Sequence, residues 1–389
     1  MKETRMSDPE IFVSAAGPDF SRQFPGFDRL THPRVVIDEP TLLGNIGKMS
    51  ALVAGRAQLH PHVKTHKSLE IARLQSRQGA TGFTAARPYE VLMLLEAGLA
   101  PVTLAYPLLC TETIKTLLSA AGDAQDIRFI ADSPETIAAL ADGARLAGRK
   151  AHVFLKVDVG LHRCGIDPQG DSGLVLARQI DSEPLLAFAG LLSHAGHAYG
   201  AGNPEKVAAI AGSELEIMRA LRTRLQKDGM ETPCISIGST PTILANAGFD
   251  GIDEVRPGNY VFYDLTAVRL GLVDRRDIAL GVAARIVSVN DHFAIANVGS
   301  KTLSSDLGAH GTSGTTAFGE AWTPDRDQPF LVAKLSEEHA FLQYSGPRPP
   351  VGTPILILPN HSCPVANLSG GMQMLGDTPR LVAIDGFVR

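Results

Sequence analysis

Residues 127–158 read IRFIADSPETIAALADGARLAGRKAHVFLKVD and contain three patterns in succession. Ile127–Asp132 is a short apolar run, Glu135–Ala147 carries apolar residues at three- and four-residue spacing, and His152–Asp158 is again a short apolar run. These periods are typical of a strand, an amphipathic helix and a second strand. Because strands joined through a helix usually pair in parallel, the stretch predicts a β-α-β unit.

The same alternation extends in both directions, from about residue 55 to about residue 260. Pro204–Lys227 repeats the helical spacing, and eight runs have the length and apolar character of buried strands. The eight predicted strands are Ala57–Val63, Gly82–Ala86, Val102–Tyr106, Ile127–Asp132, His152–Asp158, Leu185–His194, Cys234–Ile237 and Asp253–Arg256. Eight such units predict an α/β fold with a TIM-type (β/α)8 barrel, which we expect over residues 34–270.

The pattern changes after Asp264, where strand-like runs are separated by Gly, Pro, Asp and Ser and long helical repeats are lacking. The runs are Ile278–Val289, His292–Val298, Phe330–Leu335 and Pro354–Leu358. They predict a second, β-rich domain over residues 271–389. Residues 1–33 have no clear partner in the barrel, and we expect them to join this second domain.

Composition excludes several classes of partner. The net charge is -5, and Lys and Arg are not clustered, so neither a nucleic-acid backbone nor a membrane surface is the expected ligand. No stretch approaches 18 uncharged apolar residues, and Met1–Glu10 does not resemble a secretion signal. Four scattered cysteines without a CxxC pair do not form a disulfide framework. We therefore expect a cytoplasmic protein with a small-molecule substrate.

A lysine-containing loop, HPHVKTHKS from His60 to Ser68, follows the first predicted barrel strand. Lys64 would lie at the carboxyl mouth of the barrel, where barrel enzymes place their chemistry. Neighbouring cations lower the pKa of a lysine, and the neutral amine forms a Schiff base with a carbonyl. Lys67 is the rival residue, but it lies later in the loop and is expected to be solvated. Taken alone, a lysine in such a loop is usually a surface charge.

Four further polar motifs follow the last four predicted strands. GLHRCG places Arg163 after the fifth strand, and SHAGHAYG places His194 and Tyr199 after the sixth. GSTPT, Gly238 to Thr242, follows the seventh, and EVRPGNYVFYD, Glu254 to Asp264, spans the eighth. Any one of these is an ordinary glycine-containing turn. Because the carboxyl ends of all barrel strands meet at one mouth, the five loops together predict a functional site there.

The GSTPT loop has the chemistry of a phosphate site. Gly238 lets the backbone approach a ligand closely, while Ser239 and Thr240 offer hydroxyls and amides at the start of a helix. Gly258 and Asn259, one strand later, would complete the cradle, since barrels commonly bind phosphate after strands seven and eight. The ordinary alternative is a Ser/Thr helix cap followed by proline in the first turn.

A second candidate site, PNHSCPVANL, follows Pro354–Leu358 in the β-rich domain. In an extended chain residues two apart face the same way, so His361 and Cys363 would bind one cation from one side. Imidazole and thiolate favour Zn²⁺ over Mg²⁺ or Ca²⁺. A buried cysteine beside a capping histidine is the ordinary alternative. SEEHA, Ser336 to Ala340, offers His339 and two carboxylates that could orient or complete such a site.

These motifs together resemble the metal-dependent D-serine dehydratase and D-threonine aldolase family, enzymes of the alanine-racemase-like fold that use pyridoxal 5'-phosphate (PLP). PHVKTHKS resembles the cofactor-lysine segment, GLHRCG the glycine-flanked arginine, and SHAGHAY the sixth-strand loop. SIGSTPT with EVRPGNYVFYD resembles the phosphate region, NHSCP the metal motif, and SEEHA an acid-acid-His-Gly segment in which Ala340 replaces the glycine. The resemblance spans most of the chain.

The resemblance implies a PLP barrel joined to a β domain, commonly as a homodimer, with a role for each matching residue. Lys64 would carry the cofactor as a Schiff base, and His361 with Cys363 would bind a divalent metal, Zn²⁺ before Mn²⁺. The other cofactor-binding residues would be Arg163, His194, Tyr199, Gly238, Ser239, Thr240, Gly258 and Asn259.

The HxC form of the metal motif favours one reaction within the family. Dehydratase-type members tend to carry HxC and aldolases HxD, so we expect β-elimination from D-serine or a similar D-β-hydroxy-α-amino acid. D-Threonine aldolase and D-3-hydroxyaspartate dehydratase use the same residues and stay open. An amino-acid racemase needs a second base, often a tyrosine of the second domain, and Tyr344 is the only tyrosine between Asp264 and Arg389. A PLP carrier would be a barrel alone, which the β domain argues against.

Overall fold

The chain folds around one parallel and one largely antiparallel sheet in a computed structural model that describes residues 17–245, 248–309 and 315–387. The strands are β1 (Arg34–Asp38), β2 (Gln58–Leu59), β3 (Phe83–Ala85), β4 (Val102–Leu104), β5 (Ile127–Ala131), β6 (Ala151–Lys156), β7 (Leu186–Leu192), β8 (Ile235–Ile237), β9 (Glu254–Val255), β10 (Leu280–Val289), β11 (Ala294–Ala296), β12 (Gly319–Trp322), β13 (Phe330–Leu335), β14 (Ala340–Gln343), β15 (Pro354–Pro359), β16 (Met372–Leu375) and β17 (Arg380–Val382).

The helices connect the barrel strands and, less often, the strands of the second sheet. They are α1 (Glu39–Val53), α2 (Leu69–Arg77), α3 (Pro88–Glu96), α4 (Thr111–Ala120), α5 (Pro134–Ala147), α6 (Ser172–Ser182), α7 (Pro204–Lys227), α8 (Thr240–Ala245), α9 (Leu265–Arg269), α10 (Ser300–Leu303) and α11 (Ser362–Leu368). Within the described ranges, no helix is long and apolar enough to cross a bilayer.

The parallel sheet is the predicted barrel. Its eight strands lie in the order β2-β9-β8-β7-β6-β5-β4-β3, and each of the eight predicted strands overlaps one of them. Single bridges from Leu59 to Ala80 and from His62 to Thr84 join the two ends of this order. The prediction of a TIM-type barrel followed by a β-rich domain is confirmed. It could be made because helices of period 3.6 alternate with buried strands along this part of the chain.

Helix α5 shows how the sequence sets these boundaries. The Ser133 side chain accepts a hydrogen bond from the backbone N–H of Thr136, and Pro134 occupies the first turn, where its missing N–H costs nothing. Gly148 ends the helix in the left-handed conformation, with φ of 63°, which a side chain would disfavour. Strands β5 and β6 on either side pair in parallel, as the opening stretch predicts.

The second sheet has the order β11-β14-β13-β12-β15-β10-β1-β16-β17 among the described residues. Strand β1 pairs antiparallel with β10 and parallel with β16, so Arg34–Asp38 lies in this sheet. Starting the barrel at residue 34 was therefore wrong for this strand. The run is apolar and buried, and such a run looks the same in the interior of either sheet.

The segment before β1 lies against the second domain without adding a described strand. Residues 1–16, including Met1–Glu10, are outside the described residues. From 17 to 33, the backbone N–H of Phe24 donates to Asp38 Oδ1 at 2.7 Å, and the Gln23 amide donates to the carbonyl of Arg276 at 2.8 Å. These bonds attach the segment to the ends of β1 and of the connection into β10.

Besides β1, four strands of the second sheet, β12, β14, β16 and β17, were not predicted from the sequence. Each has three or four residues, which is too short for an alternating pattern to stand out. They complete the sheet through pairing with longer neighbours, for example β12 with β15.

Candidate active site

A cavity of about 350 Å³ lies where loops after the barrel strands meet helix α11 of the second domain. It brings together most of the predicted site residues from both domains. These are Lys64, His194, Tyr199, Ser239, Thr240, Gly258, Asn259, His361 and Cys363. Arg163 and Gly238 are not among the described residues that line it.

Lys64 lies in a short 3-10 turn, Val63–Thr65, directly after the first barrel strand. The turn is capped by His62, whose Nδ1 accepts a hydrogen bond from the backbone N–H of Lys64 at 3.4 Å. Burial lowers the pKa of Lys64, the charge of Arg163 lowers it further, and Cys363 opposes both effects. A lowered pKa increases the fraction of neutral amine, which is the form that attacks a carbonyl.

Lys67 is not solvated, so that prediction was wrong. Its side chain is 13% exposed, and Nζ lies 3.7 Å from Oε1 of the buried carboxylate Glu90. Nζ also lies 4.6 Å from the centre of the Phe387 ring, at the C-terminal end of the described chain. Because residues 320 positions apart in sequence make this contact, the loop alone gave no sign of it. Lys67 is held as an ion pair, which leaves Lys64 as the better nucleophile.

The predicted phosphate loop packs closely against its neighbours. Gly238 has φ of 133°, and a Cβ there would lie 3.1 Å from the backbone N of Arg256. Its carbonyl accepts a hydrogen bond from Nδ1 of His194 at 2.8 Å, which fixes the imidazole over the loop. Helix α8 begins at Thr240, so the hydroxyls and amides lie where the sequence predicted them. Glycine is required here for both backbone conformation and space.

The loops after β8 and β9 are joined at the cavity. The backbone N–H of Gly258 donates to Thr240 Oγ1 at 3.2 Å. A Cβ on Gly258 would lie 3.0 Å from the carbonyl oxygen of His62 and 3.1 Å from Thr65 Oγ1. A side chain at position 258 would therefore press on the lysine turn, so glycine favours this close approach. Ser239, Thr240 and Gly258 therefore form one wall of the cavity that Lys64 also lines, and this wall is the predicted cradle.

Asn259 makes its contacts away from the cradle. Its Nδ2 donates to Asp264 Oδ2 at 2.8 Å and to Ser362 Oγ at 2.9 Å. Asp264 Oδ2 also accepts from the backbone N–H of Ser362 at 3.0 Å, which anchors the start of α11 to the barrel. Asn259 thus connects the barrel to the helix that bears Cys363, a contact that the sequence did not reveal.

Two aromatic side chains of the sixth loop face the cavity in their neutral forms. Burial, together with the charge of Lys64, lowers the pKa of His194 well below its usual value. Burial also raises the pKa of the Tyr199 hydroxyl, with Cys363 and Asp264 adding to the effect. Both groups are therefore uncharged donors or acceptors near neutral pH.

Arg163 lies on the loop after β6 and is exposed. Its positive charge is close enough to lower the pKa of both Lys64 and His194. Its predicted contact with a cofactor stays a prediction.

His361 and Cys363 lie at the junction of β15 and α11 rather than in an extended strand. His361 is the residue before the helix, and Cys363 is in its first turn. The reason given from the sequence, alternation along a strand, was therefore wrong, although the two side chains do meet. The charge of each side chain shifts the pKa of the other, so the His361 imidazole and the Cys363 thiol lie close together. Cys363 Sγ also lies 3.4 Å from Thr65 Oγ1, next to Lys64.

The electrostatics of this pair suit a soft metal ion. Burial raises the pKa of the Cys363 thiol, but the charge of His361 and the contact with Thr65 act in the opposite direction, and the net change is downward. Asp306, from a loop that the sequence did not single out, lies 2.9 Å from Nδ1 of His361. A carboxylate that holds the proton on Nδ1 leaves Nε2 as the nitrogen that can bind a metal, which is the usual arrangement of metal-binding histidines.

These donors fit a divalent metal as two protein ligands, with the remaining positions left for water or substrate. Throughout the described ranges, no group of three or more His, Cys, Asp or Glu side chains is arranged to hold a metal ion. Lys64 and the Thr240 hydroxyl at the start of α8 fit PLP equally well, because they offer an amine of lowered pKa for its aldehyde and a donor at a helix start for its phosphate.

SEEHA does not take part in the cavity. His339 is exposed on the turn between β13 and β14, and it is not among the described lining residues. The two carboxylates pair with Lys301 on the surface, at 3.3 Å for Glu337 and 3.1 Å for Glu338. The expectation that this segment orients or completes the metal site is not met within this chain.

Arg256 is a further cavity residue that the sequence did not single out. Its guanidinium is buried beneath the cavity and donates to Ser236 Oγ and to the carbonyl of Ser193. Burial lowers the pKa of Arg256 to about 10, so it keeps its positive charge near neutral pH. The sequence showed only that Arg256 belongs to the EVRPGNY motif. It did not show that the side chain points toward the cavity, which follows from the geometry of the barrel.

The buried histidine of the lysine loop predicts how stability depends on pH. Burial lowers the pKa of His66 to about 4, and its Nδ1 accepts a hydrogen bond from Ser68 N–H, which requires the unprotonated atom. Below about pH 6.5 His66 is protonated in the unfolded chain but stays neutral in the folded chain. The free energy of unfolding therefore decreases as the pH falls. We expect the free energy of unfolding to lose about 2 kcal/mol from this group between pH 7 and pH 5.

Urea unfolding of wild type and His66→Asn at both pH values measures this loss, because asparagine keeps an acceptor but does not titrate. His292→Asn, at an exposed position, is the control. Equal pH dependence in His66→Asn and wild type would rule out the assignment.

Comparison with known proteins agrees with both halves of this arrangement. The alanine racemase N-terminal domain model matches residues 37–265, and the serine dehydratase domain model matches residues 279–375. D-threo-3-hydroxyaspartate dehydratase of Delftia sp. (strain HT23) is 30% identical over 86% of this chain and 91% of that protein. Its solved structure has a TM-score of 0.85 and 28% identity, covering 92% of this chain and 98% of that one.

Two other relatives are named for other amino-acid substrates. D-serine dehydratase of Dictyostelium discoideum is 26% identical, covering 91% of this chain and 96% of its own. D-threonine aldolase of Arthrobacter sp. is 25% identical, covering 90% of each chain. Fold, cavity and relatives agree, and the chain belongs to the D-serine dehydratase and D-threonine aldolase family of alanine-racemase-like PLP enzymes.

Proposed function

We propose that this protein is a PLP- and metal-dependent D-serine dehydratase, which converts a D-β-hydroxy-α-amino acid to a 2-oxo acid and ammonia. The observation that supports this most directly is that Lys64 and the His361–Cys363 pair line the same cavity. The reaction requires two groups. One is an amine that takes the Cα proton, and the other is a metal-binding pair that acts on the β-hydroxyl.

Lys64 would hold PLP through its amine, with Ser239, Thr240 and Gly258 around the phosphate. When bound, PLP supplies an electron sink for the bond broken at Cα. With the substrate amine in its place, the Nζ of Lys64 would be free to take the Cα proton. The lowered pKa of Lys64 supports this role, because a general base works best when its pKa is near the working pH.

His361 and Cys363 would hold the divalent ion, with Zn²⁺ favoured over Mn²⁺ by their donor atoms. When bound, the ion supplies Lewis acidity that helps a poor leaving group depart, worth several kcal/mol. Asp306 fixes the His361 imidazole for this purpose. A solved structure of a D-threo-3-hydroxyaspartate dehydratase, in which a cysteine is replaced by alanine, is a metal-free form, which supports a metal in this family.

A second candidate substrate carries an additional carboxylate. Arg87 lines the cavity, and its guanidinium stacks 5.0 Å from the centre of the Tyr106 ring. Within the described residues no carboxylate is paired with it. A free cation at this position favours an acidic side chain, and so supports D-3-hydroxyaspartate dehydration as the alternative. Retro-aldol cleavage of D-threonine would use the same residues.

Product analysis separates these reactions. We expect the purified protein, loaded with PLP and Zn²⁺, to release pyruvate and ammonia from D-serine. Parallel incubations use D-threonine and D-threo-3-hydroxyaspartate, each with and without Zn²⁺ or Mn²⁺. Glycine and acetaldehyde from D-threonine, with no 2-oxo acid from any substrate, would replace dehydration by aldol cleavage.

The family resemblance also supports our proposal that the protein acts as a homodimer in the cytoplasm. Light scattering after size-exclusion chromatography measures the assembly, and fractionation of the producing cells measures the location.

A further inference from the structure

Helix α11 extends from the metal motif to the lysine turn, and Asn367 lies at the point of contact. Its Nδ2 is 2.8 Å from the carbonyl oxygen of Cys363, 3.0 Å from that of Lys64 and 3.2 Å from that of Thr65. One side-chain amide thus donates to the backbone of both predicted reactive residues. These residues belong to different domains and are about 300 positions apart.

The lysine turn depends on this outside support. It has three residues, Val63–Thr65, and the N–H groups of His66 and Lys67 both donate to Val63 O. Among the described residues, the carbonyls of Lys64 and Thr65 have Asn367 as their hydrogen-bond donor. A buried carbonyl without a donor is costly, so the amide holds the turn in one conformation.

A second contact also joins α11 to the lysine turn. Thr65 Oγ1 lies 3.4 Å from Cys363 Sγ, so a shift of α11 relative to the turn would also separate this pair. Asn367 lines the cavity, but its amide nitrogen faces backbone oxygens and acts through other residues.

We propose that Asn367 is a positioning residue that sets the distance between the Lys64 amine and the His361–Cys363 pair, which lets both act on one substrate molecule. The inference rests on the proposed dehydratase function. It predicts that Asn367 matters most for the step that needs both groups. Lys64 has a flexible four-carbon side chain and still reaches a Cα proton after a small shift, whereas His361 and Cys363 are short and fixed to the helix.

Asn45 provides a matched control for an asparagine that joins two parts of the fold. It is buried in α1, and its Nδ2 donates to the carbonyls of Asp277 at 2.8 Å and Val261 at 3.4 Å. It does not line the cavity. Asn367→Ala and Asn45→Ala each remove a donor to backbone carbonyls, so both are expected to lower the unfolding midpoint.

The functional readouts are expected to differ. With saturating PLP and Zn²⁺, Asn367→Ala should lower kcat for D-serine about 10- to 100-fold, with KM changed less than about threefold. In D₂O, the ratio of deuterium at Cα of recovered D-serine to pyruvate formed should rise about tenfold, because proton removal survives better than loss of the hydroxyl. Asn45→Ala should leave kcat and this ratio unchanged.

Asn367→Asp tests whether the donor itself matters. Its carboxylate would face three carbonyl oxygens, so we expect a larger loss of kcat than in Asn367→Ala. Wild-type kcat in Asn367→Asp would overturn the proposal. So would an exchange ratio in Asn367→Ala equal to that of Asn45→Ala.

A separate measurement keeps this inference distinct from the dehydratase proposal. PLP titration of the metal-free apoprotein, followed by absorbance, should give a Kd about tenfold higher for Asn367→Ala than for wild type, and no change for Asn45→Ala. If wild type forms no 2-oxo acid from any substrate, the dehydratase proposal fails, and the titration still decides whether Asn367 positions Lys64. Equal Kd values in all three proteins would contradict that role.

Discussion

Lys64→Ala is expected to abolish covalent attachment of PLP and to lower lyase activity at least about a thousandfold. The substitution removes both the amine that would hold the cofactor and the base that would take the Cα proton. Visible absorbance, together with mass spectrometry after borohydride reduction, measures attachment. Pyruvate release measures activity.

Lys67→Ala is the matched control, because Lys67 lies three residues away in the same loop and also lines the cavity. Its amine is paired with Glu90 and covered by Phe387, so the variant should keep reducible PLP on Lys64. A yellow band that persists in Lys64→Ala and disappears in Lys67→Ala would transfer the cofactor role to Lys67.

Cys363→Ala is expected to lower pyruvate release about a hundredfold or more while PLP stays attached to Lys64. The substitution removes one of the two proposed protein ligands, so Zn²⁺ affinity should fall as well. Chelation should inactivate wild type, and added Zn²⁺ should restore it. Activity assays and metal analysis of the purified protein measure both effects.

Cys110→Ala supplies the control for loss of a thiol, because Cys110 is exposed before α4 and distant in sequence from both motifs. It should retain full activity and full metal content. Undiminished activity of Cys363→Ala, or of chelated wild type, would remove the metal from the proposed mechanism.

The barrel and most of its mouth were predictable from local patterns. Strands and helices differ in period, and the carboxyl ends of barrel strands meet on one face, so Lys64, His194 and Thr240 could be placed together before any distance was known. The His361–Cys363 pair was found for the wrong geometric reason, because a strand pattern does not show where the following helix begins.

Contacts between remote segments could not be predicted in the same way. Asp306 meets His361 across 55 positions, and Asn367 meets Lys64 across 303, with no periodic pattern to connect them. Lys67 was predicted to be solvated from its position in the loop. The prediction failed because Phe387, 320 residues later, covers its amine. The sequence around such residues does not distinguish them from other polar or aromatic side chains, because their partners are set by the packing of the folded chain.

Strand β1 lies between β10 and β16, although the whole barrel separates it from both along the chain. During synthesis on the ribosome, this apolar strand therefore emerges before β10 and β16. Of its partners among the described residues, the first is absent until residue 280 has been made and the second until residue 372. Unpaired strands of this kind are prone to aggregate. We expect truncated products that stop after the barrel to need chaperones, whereas chains that extend through β16 close both edges by themselves.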